Sequence, residues 1–150
     1  MLVVGRRSIV RILALGVGLM SAIPVGSVSA LDVTSCEVCH DQNRKDFENS
    51  VHKAGGVSCI DCHGGNAKAK GKEDAHGGSF TGRPPRTDIP KLCASCHSDV
   101  RKMNARGLPT DQYAQYQTSK HGEALAQGKT DIATCVDCHA SHAILRVKDP

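Results

Sequence analysis

Residues 58–63 read Ser58-Cys59-Ile60-Asp61-Cys62-His63, and the pentad inside that stretch, Cys-x-x-Cys-His, occurs four times. The other copies are Cys36-Glu37-Val38-Cys39-His40, Cys93-Ala94-Ser95-Cys96-His97 and Cys135-Val136-Asp137-Cys138-His139, and together the four use all 8 cysteines. On a helical turn, positions i, i+3 and i+4 share one face, so both thiols and the imidazole meet one flat group. That is the arrangement of c-type haem attachment, in which two thiols add to the porphyrin vinyl groups and the histidine becomes an axial iron ligand. Two other chemistries use paired cysteines. Nineteen residues separate Cys39 from Cys59, close to the interval of a four-cysteine zinc ribbon, and a lone Cys-x-x-Cys also serves as a dithiol redox centre or a disulfide. Neither accounts for the histidines. With 8 His in 150 residues, a histidine after all four motifs arises by chance roughly once in 10⁵.

The N-terminus carries an export pattern. Arg6, Arg7 and Arg11 form a basic region, Ile12 to Val25 an apolar one, and Val28-Ser29-Ala30 a small-residue cleavage site. Residues 1–30 therefore read as a signal peptide and 31–150 as the mature domain. The apolar run is shorter than the roughly 20 residues a spanning helix needs, so no stable membrane anchor is expected. General secretion to the periplasm, or beyond it to the cell exterior, fits covalent haem attachment after export.

The mature part is poor in bulk, with two Phe, two Tyr and no Trp in the whole chain. Such a chain cannot assemble an ordinary side-chain core, and four macrocycles must serve as one. The expected fold is mostly irregular with short α-helices and little or no sheet, wrapped around four haems. Charge excludes one class of partner. Removing the three leader arginines from 19 Lys plus Arg leaves a balance of +1 against 15 Asp plus Glu. The basic residues are scattered and the few aromatics stand beside the haem motifs, so no nucleic-acid partner is implied.

The motifs fall into an internal duplication. In the first unit CEVCH is followed by Phe47-x-x-Ser50-x-His52, by Ser58 and CIDCH, and by His76; in the second CASCH is followed by Tyr116-x-x-Ser119-x-His121, by Thr134 and CVDCH, and by His142. The chain thus reads as two dihaem modules, about 31–80 and 88–150. Gly64 to Lys91, dense in Gly, Lys and Pro, is expected as an exposed mobile loop, with Lys68, Lys70 and Lys72 as solvated side chains or a patch for an acidic partner. Thr110 is a plausible N-cap for a helix over 111–119 that ends near Gly122 and delivers Tyr113 and Tyr116 to haem edges and His121 to an iron.

Four irons offer eight axial positions. His40, His63, His97 and His139 are the proximal set, and the spare His52, His76, His121 and His142 are just enough to make every iron six-coordinate. His142, three residues after His139, cannot reach the opposite face of the same haem and is expected at another. Met103, the one methionine beyond the leader, is expected to pack rather than ligate.

The CIDCH and CVDCH motifs, the Ser-x-His pairs and the closing Cys138-His139-Ala140-Ser141-His142 stretch resemble the small periplasmic tetrahaem cytochromes c of the doubled-CxxCH, cytochrome c3-like superfamily. They are also similar to the haem domain of the quinol-oxidising NapC and NrfH type. The resemblance implies closely packed haems and an electron carrier of anaerobic respiration, between a quinol-linked or dehydrogenase donor and a terminal acceptor. A multihaem reductase or its electron-input subunit is the enzymatic alternative, and eight histidines for eight positions argue against it. The structural alternative is a homo-oligomer or extracellular filament that shares axial ligands between copies.

Overall fold

The structure, a computed structural model, describes residues 34–146. The signal peptide expected over residues 1–30 lies outside them. Among the described residues there are ten short α-helices and no strand: α1 (Ser35–Cys39), α2 (Asp41–Glu48), α3 (Val51–Ala54), α4 (Cys59–His63), α5 (Lys72–Ala75), α6 (Ile89–His97), α7 (Val100–Asn104), α8 (Gln112–Thr118), α9 (Lys120–Ala126) and α10 (Cys135–His139). No helix there is long and apolar enough to cross a membrane.

Helices of 4 to 9 residues are too short to be stable alone, so their ends and side-chain pairs matter. In α2, Arg44 bridges Asp41 and Glu48 while Lys45 also reaches Asp41, giving a polar helix the one-turn pairs that support it. Ser50 caps α3 by accepting from the His52 N–H at 3.1 Å, and Ser119 caps α9 by accepting from the Gly122 N–H at 3.1 Å. The repeated Ser-x-His is therefore one local device: a capping serine that fixes a histidine in the first turn of a helix.

The helix expected over 111–119 is α8, Gln112–Thr118, but Gly122 is not its end. Asp111, rather than Thr110, stands at the N-cap of α8, and the chain breaks at Ser119 before α9 begins. Gly122 lies inside α9, buried where a Cβ would overlap the Tyr116 carbonyl and approach the Gln117 Cα to 2.8 Å. The two helices fold back on each other because this position carries no side chain, a tertiary contact that residue propensity does not report.

The 64–91 segment is exposed but tied down. Its strap is fastened by Ser35 N–H to Ala67 O at 3.0 Å, Asn66 N–H to Ala75 O at 3.0 Å and Thr81 N–H to His63 O at 2.8 Å. At the far end Arg86 donates to Ile132 O through Nε at 3.1 Å and Nη2 at 2.9 Å, and pairs with Asp137 at 2.6 Å. Glycine and proline density reported the turns but not these long-range bonds.

Gly64 and Ala140 follow the histidines of α4 and α10 with nearly the same backbone, φ 65°, ψ −152° and φ 60°, ψ 175°. That region is essentially restricted to glycine. Ala140→Gly is therefore expected to raise stability by about 1 kcal/mol. A thermal melt of the haem-loaded protein checks this, and a lowered midpoint would show that Ala140 is unstrained.

Candidate functional site

The four Cys-x-x-Cys-His motifs each occupy a single helical turn or the end of a longer helix. Three open on a capping arrangement in which an acidic third residue turns back to the N-cap. Glu37 accepts from the Thr34 N–H at 2.7 Å and its hydroxyl at 3.0 Å. Asp61 does the same for Ser58 at 2.7 and 2.6 Å, and Asp137 for Thr134 at 2.6 and 3.0 Å. The third motif differs, sitting at the C-terminal end of α6 behind Pro90. These acids were legible as Ser/Thr-x-x-Asp/Glu, and reading the pentads for haem chemistry alone passes over them.

Glu37 is held below the usual carboxylate range by the Thr34 N–H first, against some burial, then by the Thr34 hydroxyl and Lys53. A depressed carboxyl contributes stability above its ordinary titration range and loses it as pH falls through the lowered value. Glu37→Gln is expected to cost about 1 kcal/mol at neutral pH, and the difference from wild type should close as pH drops below about 4. Melts at pH 7 and 3 check it; an equal difference at both would assign the effect to packing.

Tertiary folding then sets histidines against one another. His40 and His76 have ring centroids 6.1 Å apart, His52 and His97 6.0 Å, and His63 and His142 6.2 Å. Each pair joins a motif histidine to a spare one. Two metal–nitrogen bonds of about 2 Å, with about 1.1 Å from each nitrogen to its ring centre, require centroids about 6 Å apart. The separations fit an iron between the rings. His63 Nδ1 donates to Gly82 O at 2.9 Å; a carbonyl only accepts, so this bond fixes the tautomer and leaves Nε2 free for a metal. Burial first, and then the facing ring, disfavours the charged form of His52 and of His142. Burial first and then His139 do so for His97. Neutral imidazole is the ligating form.

Two of the pairs cross between the repeats, and hydrogen bonds from a backbone and a side-chain donor hold them there. The Val51 N–H donates to Ile144 O at 2.8 Å, which sets the segment bearing His142 beside the helix bearing His52. Arg106 Nη2 donates to Gly55 O at 2.8 Å. His121 and His139 form no such pair; both are exposed.

The thiols fall beside one another in chain order. Cys59 is pushed up by burial and then by Cys36 nearby, Cys62 by burial and then by Cys96. Cys93 and Cys135 share a hydrogen bond that raises Cys93 and draws Cys135 down to about 7. Consecutive motifs are thus neighbours in space.

Residues 51–147, about two thirds of the chain, match the family model for cytochrome c3. The chain belongs to the cytochrome c3 family. It is accordingly a multihaem electron-transfer cytochrome that binds haem c, with the short helices and absence of strands among its described residues that suit a small cytochrome c3-like fold. Three motifs of the cytochrome lie in the matched stretch, and the first, Cys36 to His40, precedes it. No curated protein and no solved structure matches the chain.

Proposed function

We propose that the protein is a periplasmic tetrahaem carrier passing single electrons between a quinol-linked or dehydrogenase donor and a terminal acceptor. The observation that carries this is the set of three histidine pairs at 6.0 to 6.2 Å, each a motif histidine facing a spare one. Cys36 and Cys39, Cys59 and Cys62, Cys93 and Cys96, and Cys135 and Cys138 tether the cofactors, with His40, His63, His97 and His139 as proximal ligands. His76, His142 and His52 hold the opposite faces at the first three motifs. Haem c supplies a one-electron couple when bound, and imidazole on both faces favours a lower potential than methionine does.

Neighbouring thiols of consecutive motifs support a relay that runs in sequence order from Cys36 to Cys138. The ring pairs leave no coordination position for a substrate at the first three sites, which favours relay over reduction there. Mass spectrometry of the purified protein should give four covalent haems, and a redox titration followed by visible and EPR spectra should show at least three low-spin bis-histidine centres at low potential. Fewer than three such centres would sink the reading.

A further inference from the structure

Four consecutive residues of the strap, Ser79-Phe80-Thr81-Gly82, lie against histidines of two different sites. The Phe80 ring packs on His76, with centroids 4.4 Å apart and 38° between the planes, and His76 is the ring that faces His40 at 6.1 Å. One residue further on, the chain docks on the second motif. Thr81 donates to His63 O through its N–H at 2.8 Å and its hydroxyl at 3.2 Å, and the Gly82 carbonyl accepts from His63 Nδ1 at 2.9 Å. His63 is therefore held at its backbone and at its ring by adjacent residues of one turn. The strap comes this close because Gly64, directly after the motif, has no side chain; a Cβ there would overlap the Ser79 carbonyl. Gly82 adds a second requirement, since its carbonyl meets the ring from a backbone with φ 64°, which β-branched residues do not adopt without strain. A Cβ at this position would lie 3.8 Å from the Phe80 Cε1, so a larger side chain there presses on the ring that supports His76.

Resting on the pairing read above, we propose that Phe80 and Gly82 are positioning residues for two haems at once. This one turn fixes the ring of His76 at the first site and the orientation and donor strength of His63 at the second, so the two haems are tuned together. The Gly82 carbonyl makes His63 the stronger donor: a ring N–H given to an acceptor raises the basicity of the other nitrogen, which favours the ferric state and lowers the potential. Phe80 acts on orientation, because a ring stacked on His76 restricts its rotation about an axial bond. The sites served are adjacent, as the nearness of Cys59 to Cys36 shows.

The test uses the haem-loaded full chain, in a redox titration followed by visible and EPR spectra. His76→Met and His142→Met mark the two haems, each expected to raise one couple. Gly82→Val should raise the couple that His142→Met marks and alter the EPR g-values of the haem that His76→Met marks, with the other haems as in wild type. Gly82→Asn, which tolerates a positive φ, should restore both. Phe80→Ala should alter the g-values of the His76 haem while leaving it low-spin. Should Gly82→Val not take up haem, Phe80→Ala decides the first half and slow exchange of the His63 Nδ1 proton in the wild type decides the second. Equal shifts at every haem, or none at the two marked ones, would reduce the turn to a structural role and overturn the inference while leaving the pairing intact. A shift at the His142 haem alone would overturn the shared control. If either methionine variant leaves every couple where it was, the pairing itself fails.

Discussion

Produced without haem, the chain should show a far-UV circular dichroism spectrum near that of a disordered polypeptide and no cooperative thermal transition. Among the described residues the buried apolar side chains are Met103 and Pro90, and the buried polar ones are Ser50 and Thr134, at 2% and 3% exposure; no side chain is less than 2% exposed. A core of that size cannot offset the entropy of ordering more than a hundred residues, at about 1–2 kcal/mol each. The helices cannot help, since none exceeds nine residues and isolated helices below about 12–15 residues are marginal. Folding and cofactor attachment are then one event, as for other small cofactor-dependent domains. Replacing all eight cysteines with alanine, or expression where no haem is attached, removes essentially the whole stability. A sharp melting transition in such material would show that the polypeptide holds a core of its own.

The second large effect is expected from His142→Ala. On the proposed pairing His142 closes the iron held by His63, from which its ring lies 6.2 Å. Its loss should turn about one haem in four high-spin and open it to carbon monoxide. Because His142 lies two residues before Ile144, whose carbonyl accepts from Val51 at 2.8 Å, the same change should loosen the link between the repeats. Hydrogen exchange should then speed up across 50–57 as well as 140–146. His142→Met is the companion variant, expected to stay low-spin with one raised potential. An unchanged EPR spectrum in His142→Ala would place the sixth ligand of that haem elsewhere.

Much of this chemistry is local and could be read directly. Two thiols and a histidine at i, i+3 and i+4 meet one face whatever the rest of the chain does, so the attachment residues follow from spacing alone. Ser50 and Ser119 recur two positions before a histidine for an equally local reason, the capping of a first turn. The scarcity of large apolar residues likewise announced short helices around a non-protein core.

Counting could not decide which ring faces which. Eight histidines for eight positions suggests four closed irons, yet pairing joins residues far apart in sequence and depends on contacts that carry no local signature. The Arg86 clamp on Ile132 and Asp137, the Gly82 carbonyl on His63 and the Val51–Ile144 bond bring distant segments to fixed separations. The tight contact of Gly122 with Tyr116 folds α9 back and sets the position of His121. The sequence by itself determined the kind of site, haem c attachment, and the residues proposed for it. Only the tertiary structure, by closing long loops through such bonds, decided that His40, His63 and His97 face a second imidazole while His139 does not.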